Sequence, residues 1–152
     1  MIYKIAKRSA RSALGDDFAE VWYTFVRGFN RLELPRRSIN DVFSDDPDKV
    51  RKEGGDQFIG LIDALVEQGK ILRGILLKQG RSEDGEIKEA MLSLGQNLSM
   101  ADVDLNIIRG NHTSKNKHFT TKFRIERKNI KRELLHARAN IYLLASLKKA
   151  KK

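Results

Sequence analysis

Three histidines, His112, His118 and His136, and two acidic clusters, Asp45-Asp46-x-Asp48 and Asp102-x-Asp104, are the side chains of this 152-residue chain whose types suit metal binding or proton transfer. A zinc site needs three or four ligands converging at a recognised spacing, and His112-x5-His118 is not one. Cysteine is absent, and both histidines stand among cations that would repel a metal ion. Neither acidic cluster has the glycine and terminal glutamate of a calcium loop, so each reads as a helix cap or a solvated turn. The glycines at 54, 55, 60, 69, 74 and 80 match neither the phosphate-loop nor the dinucleotide spacing. The expectation is a non-enzymatic protein with no metal, cofactor or small-molecule substrate.

What remains is cationic. The stretch KFRIERKNIKRELLHARAN, residues 122–140, sets seven Lys or Arg against two Glu, with apolar residues at helical spacing beneath. Phe123, Ile130, Ala137 and Leu144 recur every seventh position, with Leu134 and Ile141 beside them, and predict one long helix over residues 121–148. At about 100° per residue, Arg124, Arg127, Lys128, Lys131, Arg132 and Arg138 fall in one arc of about 140°. A solvated helix face usually mixes signs and gains ion pairs, whereas only Glu126 and Glu133 are available here. Uncompensated like charges repel, and their clustering points to a polyanion or an acidic partner. Lys115, Lys117 and Lys122 extend the patch, giving a candidate nucleic-acid-binding set of Lys115, Lys117, Lys122, Arg124, Arg127, Lys128, Lys131, Arg132 and Arg138. His136 reads as a surface or phosphate-neighbouring residue within it. No helix-turn-helix or homeodomain spacing is present, so phosphate contact is expected rather than base readout, with single-stranded RNA or DNA favoured.

The charge of the whole chain has the same asymmetry. Residues 1–14 hold four basic and no acidic groups; residues 15–106 hold twelve basic and eighteen acidic groups; residues 107–152 hold fourteen Lys or Arg and two Glu. An acidic body with basic ends suits a polyanionic partner, or copies stacking head to tail. No signal segment or membrane-length apolar run is evident, and the absence of cysteine suits a reducing compartment, so an intracellular, cytoplasmic protein without membrane contact is expected. An organellar presequence is the alternative reading of residues 1–14.

The elements that must position these groups read as helices of a single domain over residues 1–152, with 1–14 a short helix or basic arm, Gly15 a break and 148–152 a basic tail. Phe18, Trp22, Phe25 and Phe29, with Val21 and Val26, give a helix over 16–32, capped by Asp16 or Asp17. Four aromatics on one face mark the centre of the core rather than a base-stacking platform. Leu34-Pro35 ends this unit, a short element follows at 39–43, and Asp45-Asp46-Pro47 starts a short helix that Gly54-Gly55 stops. Asp56 is expected to cap a helix to Gly80 whose off-stripe Ile71 and Ile75 imply a second buried face, with Gly69 and Gly74 marking a bend or close contact. A helix over 84–98 is followed by an ambiguous run, 99–109, in which Ser99 and Asp102 suggest a capped short helix while Val103, Leu105 and Ile107 alternate like a strand. The helical reading is preferred because no partner strand exists. Residues 110–117 read as a polar loop, and the apolar run after Asn140 as buried by the body or another subunit.

The fold class expected is therefore all-α, a bundle of about five helices with a long basic C-terminal helix. The function expected is sequence-tolerant binding of nucleic-acid backbone by one subunit, or one of many copies, of a larger nucleoprotein assembly. Small subunits of RNA-guided effector complexes and helical coat proteins share this plan, though no residue motif of either is present. The alternatives are a structural subunit whose basic helix docks on an acidic protein surface, and an organellar ribosome-associated or membrane-surface protein.

Overall fold

The computed structural model describes residues 1–35 and 52–151, and these form five helices and no strand. They are α1 (Lys7–Leu14), α2 (Asp16–Asn30), α3 (Lys52–Gly80), α4 (Gly85–Thr113) and α5 (Phe119–Lys151). Each helix packs on its neighbour in the chain, and α1 closes the circuit against α5. The element expected at 39–43 and the helix start at 45–47 lie outside the described residues.

The core grows from the aromatic face of α2. Phe18, Trp22, Phe25 and Phe29 are all buried, with Leu32 beyond the helix end. The indole N–H of Trp22 donates to the Ile5 carbonyl at 2.6 Å, so the largest side chain in the core also holds the non-helical N-terminal segment. Asn30 grips the same segment, accepting from the Ile2 amide at 2.7 Å and donating to the Ile2 carbonyl at 2.9 Å. Residues 1–6 are thus a pinned segment leading into α1. Gly15, at φ 90°, breaks α1 from α2 as expected, since glycine alone adopts that backbone cheaply. Gly15 itself occupies the N-cap of α2, leaving Asp16 and Asp17 in the first turn, where the helix dipole favours carboxylates.

Three boundaries differ from the sequence expectation, each because packing outweighs a local signal. First, α3 runs straight through Gly54-Gly55 and takes in Asp56; two glycines cost about 1 kcal/mol each, less than the burial of Phe58, Ile62, Leu65, Leu72 and Leu76 returns. Its second face is not buried throughout, for Ile71 and Leu77 are exposed while Ile75 is half-buried. The close helix contact lies not at Gly69 or Gly74 but at Gly28 of α2, where a Cβ would stand 2.9 Å from Leu65 Cδ2 of α3.

Second, α4 is one helix of 29 residues, so Ser99 and Asp102 lie mid-helix and cap nothing. The strand-like alternation is helical: Val103 and Ile107, four apart, share the outer face, while Leu105 turns inward and is buried. Third, α4 continues through Gly110 to Thr113, leaving only residues 114–118 as a turn, with Lys115 at φ 56°. The run after Asn140 is two-faced, since Ile141 and Leu144 are buried but Tyr142 and Leu143 are exposed. No helix among the described residues is long and apolar enough to cross a membrane.

Candidate functional site

The long C-terminal helix presents one apolar line to the body: Phe119, Phe123, Ile130, Leu134, Ala137, Ile141 and Leu144 are buried. This fixes its rotation and so decides which cations face solvent. Both glutamates are turned towards α4. Glu133 accepts from Asn97 Nδ2 at 3.1 Å, and Asn97 in turn accepts from Asn140 at 2.9 Å. Glu126 is hydrogen-bonded to Asp104, a buried α4 carboxyl that is only 8% exposed. Burial first, then the hydrogen bond and charge of Glu126 and the charge of Glu133, raise Asp104 to a pKa of about 6, against a smaller opposing effect of Arg132. The Asp102-Asp104 pair is therefore neither a cap nor a solvated turn: Asp102 pairs with Arg73 of α3 at 3.4 Å, and Asp104 belongs to the α4–α5 interface.

The nine expected binding residues divide into those the fold consumes and those it leaves. Arg127 is half-buried: its Nε donates to the Leu32 carbonyl at 2.8 Å, a second nitrogen reaches the Phe29 carbonyl at 3.5 Å, and the guanidinium lies 4.6 Å from the Phe29 ring centroid. It closes the carbonyl end of α2, where a cation meets both unsatisfied acceptors and the negative end of the dipole. Burial lowers its pKa, with Glu33 opposing. Arg138 donates to the Lys4 carbonyl at 2.8 Å and fastens the N-terminal segment. Lys131 is half-buried beside the Met1 amine, whose pKa falls through desolvation and then through the charges of Lys131 and Arg127. Arg132 is exposed, contacts Asn129 Oδ1 at 3.4 Å and feels the acidic α4–α5 interface.

Arg124 and Lys128 remain exposed, and no hydrogen bond or ion pair among the described residues engages their side chains. Lys117 and Lys122 are likewise exposed, and so is Lys115 in the turn. Lys122 stands about 160° around α5 from Arg124, so it does not join the same face. The structure thus brings Arg124, Lys128 and Arg132 together, sets Arg127, Arg138 and Lys131 along the inner edge, and leaves Lys115, Lys117 and Lys122 near the α4–α5 turn.

Of the histidines, His112 packs edge-on to Phe58 and Phe119 at centroid distances of 5.2 and 5.3 Å, and His136 is exposed on α5. Among the described residues no three His, Asp or Glu stand close enough to hold a metal ion. Sequence reasoning did not separate the cations of α1 into those paired with α2 and those left exposed. The signal was present in the spacing of Lys7 and Arg11, which share one face and pair with Glu20 and Asp16, while Arg8 faces elsewhere. No protein-family model, curated protein or solved structure matches this chain.

Proposed function

We propose that the protein is a non-enzymatic subunit that binds the phosphate backbone of nucleic acid, without regard to sequence, through the outward face of α5. The observation that carries this reading is the inward rotation of Glu126 and Glu133, which strips the opposite face of any carboxylate and leaves Arg124 and Lys128 with no counter-charge among the described residues. Like charges held together without partners are repelled from one another, and a row of phosphates relieves that repulsion while releasing condensed counterions.

A titration of labelled single-stranded RNA, single-stranded DNA and duplex DNA over a range of salt tests it. Affinity should fall linearly on a log-log salt plot. The double substitution Arg124→Gln/Lys128→Gln should reduce the single-strand slope by about 1.4, because each phosphate that is no longer neutralised lowers it by about 0.7. An unchanged slope in a folded variant removes α5 as the interface.

A second reading, a structural subunit that docks on an acidic protein surface, draws support from α4. Leu92, Met100, Val103 and Ile107 are exposed along its outer face, a stripe suited to protein contact. It predicts partner binding without salt-sensitive affinity for nucleic acid. In either case the protein works within an assembly, and the intracellular setting suits both.

A further inference from the structure

The basic face of α5 does not end at Arg132. Farther along the helix a groove of 420 Å³ opens between α1 and α5, lined by Arg8, Ser9 and Ser12 on one side and Tyr142, Ser146 and Lys149 on the other, with no carboxylate in its lining. Arg124, Lys128, Tyr142, Ser146 and Lys149 lie within about 60° of one another around α5, so the groove continues the same face. From Arg124 to Lys149 that face is about 37 Å long.

The groove's polar groups are uncommitted. Helical serines and threonines commonly donate back to the carbonyl four residues earlier, as Thr24 does to Glu20 at 3.0 Å and Thr113 to Arg109 at 2.9 Å. Ser9, Ser12 and Ser146 make no such bond, and neither Arg8 nor Lys149 has an ion-pair partner among the described residues. Their neighbours are fully used: Lys7 and Arg11 pair with Glu20 and Asp16, and Lys148 donates to the Ala13 carbonyl at the end of α1. Hydroxyl donors and two cations from separate helices, without an acid, suit a phosphodiester oxygen.

Tyr142 adds a second kind of contact. The residue is 36% exposed and lines the groove, with the Lys4 ammonium 5.9 Å from its ring centroid, whereas Phe18, Trp22, Phe25 and Phe29 are buried. An accessible ring beside phosphate donors is how single strands are held, because an unpaired base offers a face to stack on and a base within a duplex does not.

We propose that the α1–α5 groove is a single-strand subsite in which Arg8, Lys149 and the serine hydroxyls hold a phosphodiester while Tyr142 stacks on an adjacent base. This rests on the reading of α5 given above and adds a preference for single strands over duplex. The test measures binding of fluorescein-labelled 20-nucleotide oligo-dT and oligo-U, and of a 20-base-pair duplex, to the wild type and to Tyr142→Ala, Tyr142→Phe, Arg8→Gln/Lys149→Gln and Arg124→Gln/Lys128→Gln. Tyr142→Ala should weaken both single strands about tenfold and leave the duplex unchanged, while Tyr142→Phe keeps wild-type affinity. Arg8→Gln/Lys149→Gln, altering two exposed side chains, should lower single-strand affinity and the salt slope without moving the melting temperature, and so tests the groove even where Tyr142→Ala loosens the fold. Wild-type single-strand affinity in both groove variants, alongside weakened binding by Arg124→Gln/Lys128→Gln, overturns the subsite and leaves the α5 reading standing. No binding by the wild type at low salt overturns both.

Discussion

Asp104→Asn should stabilise the protein at neutral pH and have no effect in acid. The Asp104 carboxyl is buried between α4 and α5 beside Glu126 and Glu133, and its pKa rises from 3.8 to about 6. A carboxyl that holds its proton more tightly folded than unfolded binds more protons in the native state between those two values, so stability falls as pH rises through that window. The penalty is absent below about pH 4 and complete above about pH 6 to 7. At about 1.4 kcal/mol per pKa unit it approaches 3 kcal/mol, and sharing the proton with Glu126 leaves about 1–2 kcal/mol for one substitution to recover. The asparagine amide keeps the shape and donates to the Glu126 carboxylate. Urea unfolding of both proteins from pH 4 to 8 should show a difference near zero at pH 4 that grows to a plateau above pH 6.5, equivalent to roughly 2–8 °C in melting temperature. A difference independent of pH, or a destabilised variant at pH 7.5, would refute the assignment of Asp104 as the proton-holding group of the interface.

Trp22→Ala, which empties the centre of the aromatic core and frees the Ile5 carbonyl, should cost about 3–5 kcal/mol in chemical denaturation; a cost below about 1 kcal/mol would mean that α2 does not anchor the fold. Arg127→Met should destabilise by about 1–3 kcal/mol by uncapping α2, whereas Arg124→Met should change stability by less than about 0.5 kcal/mol. Equal melting temperatures for these two variants would erase the distinction between structural and surface cations on α5.

Chain periodicity was enough to define the all-helical class, the aromatic face of α2 and the apolar line of α5, because each rests on side chains at 3.6-residue spacing, which is local information. The break at Gly15 is likewise local, arising from one residue's freedom to take positive φ. Helix ends were less accessible. The glycines at 54, 55 and 110 carry the usual signals of termination, yet the cost of a glycine within a helix is about 1 kcal/mol, and interhelical packing exceeds it.

The site divides the same way. Residue types and angular spacing marked α5 as the basic face, but an arc of about 140° treats Arg124, Arg127 and Arg138 alike. The tertiary structure separates them, because the carbonyls of Leu32 and Lys4 come within reach of Arg127 and Arg138 only when α2 and the N-terminal segment dock against α5. Docking of α4 likewise draws Glu126 and Glu133 inward, and docking of α1 sets Arg8 opposite Lys149 across more than a hundred residues of sequence. Sequence determined which charges the chain carries and on which helix. Only the packing of the five helices decided which of them are spent on backbone carbonyls and which still face solvent, since a hydrogen bond depends on distances that residue spacing along one helix does not contain.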